Sequence, residues 1–235
     1  EFVTMEEIDA LLKGMHERNI EVVLDLVGNH SSDEHRWFQE SRKSRDNPYR
    51  DYYHWWPAEK GKPAKRRSFF DVEGDAWQYD EPTNSYYLHI FSDKQPDLNW
   101  ENPKVRQEMY SMIKFWFDKG VDGFRMDVIP FISKDTTFPE MPAEMNGDWG
   151  KFYRSGPHLH EYIQEMNREV LSKYEIMTVG EIGATPEEAH LFVDEDRNEL
   201  NMLYHFEGVD FGYLPGGRKM IDPKGWSLVK FKEIY

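Results

Sequence analysis

ENPKVRQEMYSMIKFWFDKGVDGFRMDVI, residues 101–129, decides the fold, because in it an amphipathic helix hands the chain straight to a buried strand. Asn102 stands where a helix opens, and Gly120 where one closes. VDGFRMDVI then reads as a strand whose residues belong mostly in a core, apart from Arg125 and Asp127. Successive strand side chains alternate between faces, so these two share one face. An arginine beside an aspartate favours the ionised carboxylate and fixes its orientation. Such a pair also serves to tie two elements together, so the pair alone does not define a site.

Working outward, the same alternation recurs. Upstream, TMEEIDALLKGMHERNI (4–20) predicts a helix capped at Thr4, with Glu7 three residues on, running into the strand EVVLDLV (21–27). Downstream come the helix HLHEYIQEMNREVLSKY (158–174), the strand EIMTVGEI (175–182), a helix over TPEEAHLFVDEDRNEL (185–200) with Thr185 as cap and Pro186 first, and a strand candidate LNMLYHFE (200–207). Strand and helix units at this spacing predict an α/β fold with a parallel sheet, either doubly wound or a barrel. Residues 31–100 break the rhythm with EHRWFQESRKS, many aromatics and short β-like runs such as SYYLHIF. An excursion of that length is too long for a loop and predicts a small inserted α+β lobe. Residues 1–30 and 101–235 then form the main unit.

Composition narrows the function classes. The chain has 235 residues, 39% hydrophobic and 31% charged, with net charge −15 and pI about 5.0, so its surface repels nucleic-acid phosphates and acidic membrane faces. The basic cluster Lys60, Lys62, Lys65, Arg66, Arg67 lies among Gly61 and Pro63 and reads as a solvated loop. There is no cysteine, which removes disulfides and thiolate metal sites and fits a reducing, cytoplasmic interior. No run approaches the ~18 apolar residues of a membrane span. The chain starts at Glu1, already within a helical pattern, as expected for a piece of a longer protein.

Three strands end in polar groups that a core would not choose. EVVLDLV runs into Gly28-Asn29-His30, the central strand carries Asp127, and EIMTVGEI carries Glu181. In a barrel of parallel strands such groups collect on one face, so His30, Asp127 and Glu181 are expected neighbours. A paired Asp and Glu suit glycoside hydrolysis, where one carboxylate attacks or steadies a cationic sugar centre and the other delivers and recovers a proton. Aromatic residues reach 15%, and sugar rings stack on such side chains, although most of them serve a core.

DLVGNHSSDEHRWF, QPDLNW, GVDGFRMDVI and TVGEI, in this order, resemble the successive conserved regions of the α-amylase superfamily of glycoside hydrolases. They are most similar to its oligo-1,6-glucosidase and glucan 1,6-α-glucosidase branch. The resemblance spans nearly the whole chain and implies a (β/α)8 TIM barrel, of which the visible strands match the third to sixth. It implies that Asp127 is the nucleophile and Glu181 the general acid/base. Arg125 would hold the nucleophile and touch the sugar, and His30 would bind the same sugar. Phe91 and Gln95 would border the glucose pocket from the inserted lobe, while Asp25 and Asn29 would be structural supports. No metal or cofactor is expected, and the partner is an oligosaccharide.

Departures from the family pattern carry information too. Its third carboxylate, in an N-H-D motif after the seventh strand, is not in this sequence, so these residues alone are expected to be inactive. True amylases place Lys-His shortly after the nucleophile. Here Val128-Ile129-Pro130 follow, which argues against an amylase and its calcium. In the branch it resembles, valine after the nucleophile accompanies α-1,6 preference. The expected activity is therefore hydrolysis of α-1,6 bonds at non-reducing ends of short oligosaccharides of the isomaltose type. Alternatives are an α-1,4-glucosidase, a trehalose-phosphate hydrolase, in which alanine tends to replace Pro96, a sucrose isomerase or transglycosylase, and a non-catalytic, transporter-associated barrel.

Overall fold

The computed structural model describes residues 3–70, 74–144, 149–183, 186–204, 206, 208, 211–212 and 226–234. The first helix, α1 (Met5–His16), opens with the expected capping box: the Thr4 hydroxyl accepts from the Glu7 backbone N–H, and the Glu7 carboxylate accepts from Thr4. It leads to β1 (Val23–Val27), and α2 (Arg36–Ser41) follows. Three short strands, β2 (Trp55–Pro57), β3 (Trp77–Asp80) and β4 (Ser85–Leu88), form an antiparallel sheet in the order β2-β4-β3. Helix α3 (Pro103–Asp118), with Asn102 as cap, precedes β5 (Gly123–Asp127). Gly120 turns the chain between them at φ +100°, a left-handed conformation that glycine adopts without strain.

The remaining elements are α4 (Trp149–Tyr153), α5 (Leu159–Glu169), β6 (Met177–Gly180), α6 (Pro186–Val193), β7 (Met202–Leu203) and α7 (Leu228–Ile234). Strands β1, β5, β6 and β7 form a parallel sheet in sequence order, the pattern of consecutive βα units in a barrel. One face of this sheet packs on the helices through Leu26, Phe124 and Met126, together with Met109, Ile113 and Phe117 of α3. Asp25, Arg125 and Asp127 face the other way. Asp25 is level with Arg125 and Val27 with Asp127, so the parallel register itself sets these polar groups side by side.

Several expectations change in detail. The strand expected over residues 200–207 is two residues long, Met202–Leu203, and His205 and Glu207 lie outside the described residues. Thr185, the expected cap of α6, also lies outside them. The basic cluster is not a uniformly solvated loop. Arg66 is buried, its guanidinium 4.6 Å from the Tyr153 ring centre, and Lys62 pairs with Asp75 at 2.9 Å. Between residues 31 and 100 the antiparallel sheet stands beside α2, but the core does not break at either boundary. Phe38, Tyr53, Tyr87 and Leu98 share one hydrophobic cluster with Leu26, Ile113 and Phe124.

Candidate active site

Arg125 organises the site. Its Nη1 donates to Asp127 Oδ1 and, at 2.8 Å, to Asp25 Oδ1, while its Nη2 donates to Glu181 Oε2 at 2.6 Å. One planar fork therefore engages carboxylates from three strand regions. Burial works against the Arg125 charge. Hydrogen bonds to Asp127 and Asp25, with the nearby charge of Glu181, overcome that and hold its pKa above the ordinary arginine value. The Asp127, Glu181 and Arg125 side chains are 22%, 23% and 25% exposed, open enough for a ligand and enclosed enough to limit screening.

Backbone geometry beyond β5 fixes Glu181. Val128 sits at φ +37°, a left-handed conformation unusual for a β-branched residue. That turn ends the strand and aims the Val128 N–H at Glu181 Oε2, 3.1 Å away. Glu181 is also tied through its backbone N–H to the Met126 carbonyl at 2.9 Å. Both described side-chain bonds of Glu181 thus use Oε2, and the described bond of Asp127 uses Oδ1. Oε1 of Glu181 and Oδ2 of Asp127 have no hydrogen bond among the described residues.

His30 approaches the same face from the end of β1. Phe91 lies against it with ring centres 5.4 Å apart, and Gln95 Nε2 is 2.9 Å from its Nε2. Gln95 accordingly meets the site through His30, while Phe91 also lines, with Val128, a cavity beside Glu181. Asn29 is fully buried and places Nδ2 3.2 Å from His30 Nδ1. Its orientation is set by Lys134, whose Nζ donates to Asn29 Oδ1 at 2.8 Å and to the Phe131 carbonyl, and pairs with Asp97 Oδ2 at 3.0 Å. An ammonium has three N–H groups and here meets three acceptors. Asn29 must therefore present its NH2 to Nδ1, which leaves Nδ1 as an acceptor and puts the ring hydrogen on Nε2.

That hydrogen faces another donor. Gln95 Oε1 is occupied by the Ser92 backbone N–H at 3.1 Å, so the Gln95 NH2 points at His30 Nε2–H. Neither donor is an acceptor for the other, so both await an oxygen, such as that of a sugar hydroxyl. His30 also stays neutral at neutral pH: burial lowers its pKa, Lys134 adds to the lowering, and the charges of Asp97 and Asp127 oppose it.

Sequence reasoning named Asp25, Asn29, His30, Phe91, Gln95, Arg125, Asp127, Val128 and Glu181. Hydrogen bonds join Asp25, Arg125, Asp127, Val128 and Glu181 in one group and Asn29, His30 and Gln95 in another, with Phe91 on the His30 ring. The two groups are related by the Asp127 charge felt at His30 and by the packing of Phe91 and Val128 in one cluster. It missed Lys134 and Asp97, the buried pair that holds Asn29. Their only signal was polarity: a lysine in the otherwise apolar segment after β5, and the aspartate of QPDLNW, which the motif carried without a stated role. Among the described residues no group of three or more His, Asp or Glu side chains could hold a metal ion, and no helix is long and apolar enough to cross a membrane.

Comparison with known proteins gives the family. An oligo-1,6-glucosidase from Parageobacillus thermoglucosidasius is 56% identical over 238 residues, which cover 99% of this chain and 42% of that protein. A trehalose-6-phosphate hydrolase from Bacillus subtilis is 45% identical, covering 100% of this chain and 41% of that protein. The chain thus spans about two fifths of the length of these relatives. The crystal structure of an isomaltulose synthase variant from Erwinia rhapontici NX5 in complex with D-glucose superposes with a TM-score of 0.91 at 42% identity, covering 100% of this chain and 42% of that one. The family described as alpha amylase, catalytic domain, matches residues 1–235, and with a shared parallel sheet and relatives at this identity the chain belongs to that family of glycoside hydrolases.

Proposed function

We propose that Asp127 and Glu181 are the nucleophile and the general acid/base of a retaining α-glucosidase, and that the full-length protein removes α-1,6-linked glucose from non-reducing ends of short oligosaccharides such as isomaltose. The observation that carries this is the single Arg125 guanidinium bonded to one oxygen of each carboxylate. Sharing one guanidinium keeps those two oxygens within about 7 Å of each other. Retaining enzymes need carboxyl groups ~5–5.5 Å apart, whereas inverting ones need ~6.5–9.5 Å to admit a water. The shared clamp favours the retaining geometry.

Each carboxylate keeps one oxygen for chemistry. Asp127 Oδ2 attacks the anomeric carbon while Glu181 Oε1 gives its proton to the departing glycosidic oxygen. The carbon–oxygen bond to the leaving sugar breaks, and a glucosyl ester forms on Asp127. Water then attacks the same carbon, loses a proton to Glu181 and releases Asp127, which restores both groups. Positive charge growing on the sugar is steadied by Asp127, while Arg125 holds that carboxylate still. His30 Nε2–H and the Gln95 NH2 donate to a hydroxyl of the bound glucose, Phe91 covers its face, and Asp25 and Asn29 support Arg125 and His30.

The α-1,6 preference rests on Val128 after the nucleophile and on the oligo-1,6-glucosidase relative at 56% identity. Residues 1–30 and 101–235 act as the catalytic unit, and residues 31–100 as the lobe supplying Phe91 and Gln95. A cytoplasmic location fits the absence of cysteine. Assay of the full-length protein on isomaltose and maltose tests the substrate reading: isomaltose is expected to be turned over faster, and a preference for maltose would overturn the α-1,6 assignment.

A further inference from the structure

A cavity of about 380 Å³ opens beside Glu181, walled by Val128, Gly183, Arg154 and the rings of Phe69 and Phe131. Asp127, Arg125 and His30 do not line it. Of the proposed catalytic pair it therefore touches only the proton donor. The group that departs with the Glu181 proton must lie on the Glu181 side, so this cavity is where the leaving part of the substrate sits.

Arg154 stands out in that wall. It is half-buried, and its guanidinium makes no hydrogen bond or ion pair among the described residues. Its position is nonetheless defined. Nη1 lies over Gly183, two residues past Glu181, where a Cβ would approach it to 2.8 Å, so the glycine leaves the room that the guanidinium occupies. An arginine placed in solvent by chance needs no such recess. Five N–H donors on a rigid fork thus border a cavity with ring-lined walls and have no acceptor among the described residues.

We propose that Arg154 is a specificity-determining residue that donates hydrogen bonds to hydroxyls of the leaving sugar; this rests on the glucosidase reading above. The charge balance selects a neutral sugar over an anionic one. Of the described cavity lining only Arg154 and Glu181 are ionisable, a single cation beside a carboxyl group among rings and small residues, which is not the cluster of cations that captures a phosphate. The ring walls supply stacking surface for a pyranose, and the guanidinium supplies orientation.

The test uses the full-length protein and three α-glucosides: isomaltose, 4-nitrophenyl α-glucoside, whose leaving group carries no hydroxyls for Arg154, and trehalose 6-phosphate. Arg154→Met is expected to reduce kcat/KM for isomaltose by about 10- to 100-fold more than for the nitrophenyl glucoside, as loss of a charged donor implies. Arg154→Lys should recover part of that difference. Gly183→Ala, which pushes the guanidinium aside without removing it, should reproduce part of it. An equal loss on isomaltose and the nitrophenyl glucoside overturns the proposal, because a merely structural arginine would act so. A loss greatest on trehalose 6-phosphate overturns the neutral-sugar assignment. If the unmodified protein turns over none of the three, the glucosidase reading itself falls and this proposal with it.

Discussion

Replacing Lys134 by methionine should separate what the buried ion pair does for stability from what it does for His30. The Lys134 side chain is 5% exposed and that of Asp97 is 0% exposed, with Nζ and Oδ2 3.0 Å apart. Burial lowers the Lys134 pKa, and Asp97 acts against that lowering, so each charge is tolerated only because of the other. Methionine fills similar volume but leaves the Asp97 carboxylate in the interior with the Ile90 N–H, at 3.1 Å, as its described side-chain donor. Removing one partner of a buried pair costs about 3–5 kcal/mol. A second change, Asp97→Asn, removes the stranded charge and should recover most of that loss.

The activity should not recover in the double variant. Without the ammonium no donor among the described residues holds Asn29 Oδ1, the amide is free to turn, and His30 loses the tautomer that presents Nε2–H to the sugar. A misdirected hydrogen bond of ~1–1.5 kcal/mol corresponds to roughly a tenfold lower kcat/KM on isomaltose. Denaturant unfolding followed by tryptophan fluorescence, beside kinetics of the same full-length samples, reads both quantities. A single variant destabilised by less than ~1 kcal/mol, against the ~3–5 expected, would refute the buried-pair argument. A double variant with unaltered kinetics would refute the link from Lys134 through Asn29 to His30.

Three further outcomes follow from the same geometry. Arg125→Lys keeps the charge but cannot bridge Asp127, Glu181 and Asp25 at once, so kcat/KM on isomaltose should fall by about 100-fold or more with the fold intact on circular dichroism. Val128→Gly relieves a left-handed β-branched residue and should raise the unfolding free energy by ~1 kcal/mol after the added flexibility of glycine is offset, while loosening the Glu181 contact and lowering kcat. For pH, His30 and His54 both have pKa values lowered chiefly by burial. A histidine with a lowered folded pKa binds fewer protons in the fold than in the unfolded chain below its ordinary value of 6.5, so stability should fall as pH drops below that value. His54→Gln should flatten this dependence in unfolding curves at pH 5 to 7.

Much of this was legible in the sequence, because the legible parts are local. The Thr4–Glu7 capping box, the helix from Asn102 towards Gly120 and the alternation that puts Arg125 and Asp127 on one face each depend on residues a few positions apart. The strand ends carrying His30, Asp127 and Glu181 were legible for a related reason: parallel strands in sequence order deliver their carboxyl ends to one side. What escaped depends on chain segments that meet only in the fold. Lys134 and Asp97 sit in separate irregular stretches, and neither pattern announces that the other will neutralise it. Arg66 looked solvated because its sequence neighbours are lysines, arginine, glycine and proline, while the rings of Phe138, Phe152 and Tyr153 that cover it come from beyond β5. β7 is shorter than expected because among the described residues its ladder with β6 pairs Met202 and Leu203, with one further backbone bond from Tyr204 to Gly180.

The central claim is that Asp127 and Glu181 work as a retaining pair, and the anomeric form of the first product tests it most directly. Proton NMR of the full-length protein acting on isomaltose, recorded before mutarotation, should show glucose released from the non-reducing end as the α-anomer. Asp127→Asn should abolish that signal. Initial release of the β-anomer, or undiminished turnover by Asp127→Asn, would contradict the account.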